Sequence, residues 1–171
     1  MSEWIVTPEE LTLEGFMPYG EAVLIPQNPS PFSGKGWECW FPRGGLGDQS
    51  ASVGIVVTKP TDGVIEAMER EPIKEFLLPL TAPIIQAVAP PGDINNPNEK
   101  PDPASVRAFI IRPGQAIIMS PGTWHWAALP LKDKPTTYFF LGEEHSPLPG
   151  RDSSPWVTFV QNSKVKVELA L

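Results

Sequence analysis

A chain of 171 residues with 41% hydrophobic and 19% charged residues has enough apolar mass for one buried core and too little charge for global disorder. Its formal charge of −7, with the basic residues scattered, argues against a phosphate-tracking surface and so against nucleic acid as a partner. The single cysteine, Cys39, excludes an intrachain disulfide, and no apolar run approaches the length of a membrane span. The opening Met-Ser-Glu-Trp lacks the basic and apolar regions of a signal peptide. The expectation is therefore a cytoplasmic protein without a membrane partner, folded as one domain over 1–171. The 22 prolines and 14 glycines punctuate short apolar runs, the pattern of an all-β chain with many turns.

In chain order, Thr7-Pro8-Glu9-Glu10 reads as a helix start: Thr7 caps, Pro8 suits the first turn and Glu10 completes a capping box. The helix, predicted over 8–15, must be short, because Gly15 and then Pro18-Tyr19-Gly20 end it. A strand follows over 21–26. Residues 27–50 read as loop, in which Trp37, Trp40 and Phe41 need apolar cover and Cys39 reads as a packing residue. Gly44-Gly45-Leu46-Gly47 reads as a flexible turn rather than an anion cradle, because no strand-to-helix context surrounds it. After residue 50 short strands are predicted over 53–59, 64–71, 75–80 and 84–89. A polar loop with five prolines and three asparagines covers 90–103. Strands resume over 106–112, 115–119, 123–131 and 136–141, with Arg112-Pro113-Gly114 as a tight turn. His145 reads as a surface residue. A final run over 156–168 alternates at its end. About nine or ten strands with almost no helix suit a sandwich, jelly roll or barrel.

Two segments carry chemistry. If 64–71 is one strand, Ile65, Ala67, Glu69 and Glu71 share a face, while Glu66, Met68 and Arg70 share the other. The first face begins apolar and ends in two carboxylates, as an inward face does on its way from a packed floor to an open mouth. Glu75 opens the next strand near the same rim. Carboxylates gathered there repel unless a cation or a shared proton compensates. Downstream, Pro121-Gly122-Thr123-Trp124-His125 puts an imidazole after a tight turn. Carboxylates and imidazole together make a mixed site of the type used by Mn, Zn, Ni or Fe. Trp124 and Trp126 share a face opposite His125, which suits core or dimer packing. Arg107 either binds a substrate carboxylate or pairs with an acidic neighbour.

These two segments resemble the two motifs of the cupin superfamily. The spacing from Gly63 through Glu69, Glu71 and Glu75 to Ala82 is similar to the first motif, with glutamates for both of its histidines and Ala82 for its last glycine. The run from Gly114 through Gly122 to His125 is similar to the second, with Pro121 directly before Gly122. A narrower resemblance is to the ureidoglycolate lyase family. Phe16-Met17-Pro18-Tyr19-Gly20 looks like that family's opening segment, and Glu69-Arg70-Glu71-Pro72 like its Glu-Arg-His-Pro. Val106-Arg107-Ala108-Phe109-Ile110 is similar to its Arg-Ala-Phe strand. Gly122-Thr123-Trp124-His125-Trp126 looks like its Gly-Thr-Trp-His-His, with Trp126 in place of the second histidine. The resemblance implies a cupin-type jelly-roll β-barrel with a short N-terminal helix, its motif segments at 63–82 and 114–126. It also implies a homodimer that cleaves ureidoglycolate to glyoxylate and urea. On this reading a divalent metal is held by Glu69, Glu71, Glu75 and His125. His125 and Glu71 move protons, and Arg107 orients a small-molecule carboxylate substrate. The rival expectations are a cupin isomerase or hydrolase acting on another small polar acid, and a non-catalytic cupin that binds a small molecule.

Overall fold

Short apolar runs broken by proline and glycine pair into two facing sheets, the expected all-β jelly roll, in the computed structural model, which describes residues 3–24, 32–34, 37–39, 51–143 and 154–168. The first sheet runs in the order Gly20–Leu24, Gln115–Met119, Glu75–Pro79, Thr136–Glu143 and Ala51–Thr58, all antiparallel. In the second, Ile84–Ala89 lies between Arg107–Ile111 on one side and both Trp124–His125 and Leu129–Pro130 on the other, with Glu9–Glu10 beyond Arg107–Ile111. A smaller sheet of Glu3–Val6, Lys164–Val167 and Val64–Ile65, and the pair Ala67–Met68 with Val157–Thr158, cover the far side of the second sheet.

The second sheet is thus a middle layer. Ile84, Val88, Phe109 and Ile111 pack against Leu77, Ile117, Met119 and Tyr138 of the first sheet. Ile85, Ala87, Ala89, Ala108 and Ile110 pack the other way, against Ile65, Met68, Phe159, Val165 and Val167. Burial on both faces explains why Ile84–Ala89 reads as a continuous apolar run rather than an alternation.

Several expected boundaries move. Thr7-Pro8-Glu9-Glu10 does not start a helix. Glu9 and Glu10 pair with the backbone of Phe109 and Ile110, and their side chains take Arg107 and Arg112. The helix begins one turn later, Leu13–Phe16, where the Thr12 hydroxyl accepts from Gly15 N at 3.0 Å. Within the expected 27–50 loop, Phe32–Gly34 and Trp37–Cys39 form a two-stranded hairpin. The 64–71 strand is broken at Glu66, and 123–131 and 156–168 each divide in two. The side chains of Trp37 and Cys39, together with Trp40, Phe41, the 44–47 turn and His145, lie outside the described residues. Among the described residues no helix is long and apolar enough to cross a membrane.

Phe109 is fully buried between Phe16, at a ring distance of 5.3 Å, and Tyr19, at 5.6 Å. Phe109→Ala should therefore lower the unfolding free energy by about 3–5 kcal/mol in urea titrations.

Candidate active site

The break at Glu66 sets which side chains enter the pocket. Ile65 pairs with Val165 and Met68 with Val157, and both side chains are wholly buried in the far-side core. Ile65 therefore does not share a face with the glutamates, as an unbroken strand would require. From Met68 onward the alternation holds: Met68 and Arg70 turn to the core, and Glu69 and Glu71 line a cavity of about 320 Å³ between the two sheets.

Glu69 and His125 face each other across a two-residue bridge. Glu69 N donates to His125 O at 2.9 Å, and His125 N donates to Glu69 O at 2.8 Å. Directly opposed residues project to the same side, so the Glu69 carboxylate lies 3.6 Å from His125 Nε2. Glu75 arrives from the other sheet. It opens Glu75–Pro79, registered between Met119 and Gly142, and brings Oε2 to 3.0 Å from His125 Nε2. Glu71 lines the same cavity, and its backbone oxygen accepts from Gly122 N at 2.7 Å.

The imidazole is aimed from behind. His125 Nδ1 lies 3.0 Å from Thr123 O, and as a donor to that carbonyl it leaves Nε2 to the carboxylates. The Thr123 hydroxyl is itself tied to Tyr19 O at 2.9 Å. Gly122 makes this turn possible. Its φ is +81°, and a Cβ there would meet Gly92 O at 2.7 Å. Arg70 clamps the underside: its guanidinium lies 4.3 Å above the Trp124 ring, pairs with Glu99, and donates to Asn96 O at 2.7 Å.

Burial dominates the electrostatics, and it acts in opposite directions on acid and base. Loss of solvent pushes the Glu69 carboxyl up to about 7. His125 opposes that rise, while Glu75 and Glu71 add to it. Burial also works to lower His125, but the carboxylates of Glu75 and Glu69, with the Thr123 carbonyl, outweigh it and leave the imidazole above its ordinary value. Tyr138, also on the cavity wall, is pushed to about 12, first by burial. The site favours a protonated imidazole among carboxylates. Among the described residues, no three or more His, Cys, Asp or Glu side chains are spaced to share one metal ion.

Glu69, Glu71, Glu75 and His125 come together. Arg107 does not join them: it is absent from the cavity wall, and Glu9 takes its fork through Nε at 2.8 Å and Nη2 at 2.5 Å. The acidic neighbour, 98 residues away in sequence, wins. Trp124 is buried in the far-side core, whereas Trp126 packs partly on that core and also lines the cavity, its ring 4.6 Å from Trp156. Gln86 lines the cavity as well. A single polar residue inside the apolar run Ile84–Ala89 was its only sequence signal.

The family model of ureidoglycolate lyase matches residues 45–155. The chain belongs to the ureidoglycolate lyase family. No curated protein sequence matches it. Among solved structures it is similar to the Lactobacillus farciminis oxalate decarboxylase formate complex, at 14% identity and a TM-score of 0.41, over 69% of this chain and 27% of that one. It is also similar to a Bacillus subtilis oxalate decarboxylase structure concerned with Mn(II) centres, at 13% identity and a TM-score of 0.42, over 57% of this chain and 23% of that one. The chain thus spans about a quarter of the length of these structures. Relative to the lyase family's histidine-bearing segments, the pocket carries Glu71 and Trp126, so it is more acidic and more aromatic than the pattern it resembles.

Because Arg107 lies outside the cavity, Arg107→Gln should leave ligand affinity unchanged. Its half-exposed pair with Glu9 contributes about 1 kcal/mol or less, which thermal unfolding measures.

Proposed function

We propose that the cavity is the active centre of a carbon–nitrogen lyase that cleaves ureidoglycolate, or a closely related α-hydroxy acid derivative, to glyoxylate and urea. The observation that carries this reading is the meeting of Glu69 and Glu75 at His125 Nε2, from two different sheets, in a cavity that Glu71 also lines.

The reaction is collapse of a carbinolamide. The hydroxyl proton leaves, the oxygen electrons form the aldehyde carbonyl, the C–N bond breaks, and the departing nitrogen takes a proton. Proton delivery must be local, because the leaving group is poor without it. By their chemistry Glu69, Glu71, Glu75 and His125 are the residues that would hold a divalent cation such as Mn, Zn, Ni or Fe, and they would have to draw together to do so, since as placed no three of them are spaced to share one. The carboxylates are hard oxygen donors, and an imidazole anchored through Nδ1 offers Nε2. When bound, such an ion supplies Lewis-acid attraction for the substrate carboxylate and hydroxyl. His125 would then serve as a ligand rather than as an acid, and Glu71 would be the group that takes the hydroxyl proton and returns it to the leaving nitrogen.

The ion pair of His125 with Glu75 at 3.0 Å favours a second, metal-free form of the same reaction. There the imidazolium protonates the leaving nitrogen while Glu71 accepts the hydroxyl proton. In either form the Trp126 and Phe140 rings supply an apolar part of the cavity wall. The reading includes a homodimer. Ile55 and Val57, each 58% exposed on the outer face of the edge strand Ala51–Thr58, are the residues that a second copy would cover. Light scattering at twice the mass of the chain tests that assembly.

Glu71→Gln, close to isosteric but unable to accept a proton, should lower glyoxylate release from ureidoglycolate by about 10²–10⁴ while leaving the far-ultraviolet circular dichroism spectrum intact. Full turnover in that variant removes Glu71 from the chemistry. Metal analysis of the purified protein, with turnover before and after chelation, separates the two forms. Bound metal and lost activity support the first, and metal-free protein at full activity supports the second. No turnover of ureidoglycolate or related acids overturns the lyase reading.

A further inference from the structure

Gln86 is the one polar residue in the wholly buried strand Ile84–Ala89. It shares a face with Ile84 and Val88, which looks toward the first sheet and the cavity. Its Nε2 donates to Trp126 O at 2.6 Å and to Ala87 O at 3.1 Å. Both partners are carbonyls, so the amide can be turned only one way, with its nitrogen toward them. Its Oε1 is left buried, with no hydrogen-bond partner among the described residues. A buried acceptor without a donor is disfavoured, and the apolar neighbours in this strand show that the packing itself asks for no amide. The other polar side chains on the cavity wall do not answer Oε1. The imidazole is directed to Glu75 and to the Thr123 carbonyl, and neither the Tyr138 hydroxyl nor a carboxyl of Glu69, Glu71 or Glu75 makes a hydrogen bond to Oε1.

We propose that Gln86 is a substrate-binding residue whose Oε1 accepts a hydrogen bond from a neutral N–H group, so that the cavity selects acids bearing a carbamoyl or ureido group. This inference rests on the reading of the cavity as the lyase's active centre. The donor is neutral because a neutral amide oxygen offers no charge to offset the desolvation of an ammonium, and the carboxylates of Glu69 and Glu75 are gathered at His125 instead. It is an N–H rather than a hydroxyl because an amide nitrogen brings no further acceptor to be stranded beside the apolar Leu77, Met119 and Ala128 of the cavity wall. A site built around such an acceptor discriminates by leaving it unpaired when the wrong ligand enters.

Two unreactive probes of the same shape test this: N-carbamoylglycine, and 4-oxopentanoate, in which CH₃ and CH₂ replace NH₂ and NH. Calorimetry on the wild-type protein should show N-carbamoylglycine bound roughly 10–100-fold more tightly. In Gln86→Met that ratio should fall to within about threefold, whatever happens to overall affinity. A merely structural role would weaken both ligands alike and preserve the ratio. Equal binding by the wild type, no binding of either probe, or a ratio that survives in the variant overturns the inference. Should Gln86→Met fail to fold, a crystal structure of the wild-type complex decides it. A ureido nitrogen within hydrogen-bond reach of Gln86 Oε1 supports the inference, and a pose with no nitrogen there overturns it. If the ratio and its loss both hold while ureidoglycolate is not turned over, the reaction proposed above fails and the role of Gln86 stands. Turnover without N–H preference does the reverse.

Discussion

The backbone bridge between Glu69 and His125 is the contact on which the site depends. Two hydrogen bonds, at 2.8 and 2.9 Å, fasten the end of the 67–71 segment to the strand that carries the imidazole. They join parts of the chain more than fifty residues apart, and they fix which way four side chains point. Glu69 and His125 face the cavity, whereas Arg70 and Trp124, each the next or preceding residue, face the core and stack on one another. A slip of one residue would exchange the two sets, placing an arginine and a tryptophan in the cavity and burying a carboxylate in the far-side core. The bridge is short, so its register is enforced from outside by Gly122 bonding Glu71 and by Arg70 holding the 90–103 loop through Asn96 and Glu99.

The same geometry sets the charge state. Three carboxylates gathered in one cavity repel one another, and burial makes Glu69 harder to ionise. His125 is where the conflict is relieved, because its ring lies between the Glu75 carboxylate and the Thr123 carbonyl, which favour its protonated form. The rise of Glu69 to about 7 is the part left unrelieved. Either a bound cation or a substrate that accepts protons would complete the arrangement, and both are chemically close to what a carbinolamide lyase requires.

Gln86 stands on the same wall as His125, two residues along its strand from Val88, which pairs with His125, and there the demand is for a hydrogen-bond donor rather than for positive charge. On the proposed reading the cavity sets a neutral acceptor beside its carboxylates and imidazole, and an α-hydroxy acid with a ureido group carries functions for both.

The sequence by itself determined the all-β class, because proline and glycine limit each apolar run to the length of a strand. It also pointed to Glu69, Glu71, Glu75 and His125 as one group, because their spacing resembles that of two cupin motifs. Alternation within a segment is local, which is why Glu69 and Glu71 were readable as a pair. Only the tertiary structure decided the rest. The break at Glu66, which puts Ile65 and Met68 in one core, comes from pairing with Val165 and Val157, about a hundred residues downstream. Arg107 was left between two roles until Glu9 folded beside it and took its guanidinium. The same folding turned Thr7-Pro8-Glu9-Glu10 from an apparent helix start into an edge strand, since a capping signal of about 1 kcal/mol yields to backbone pairing and bidentate ion pairs. Gln86 could not be recognised as a ligand-facing group from an apolar run, because its free oxygen is defined by what surrounds it. Local periodicity fixes direction within one strand, whereas partners across sheets are chosen by packing that no short window of sequence contains.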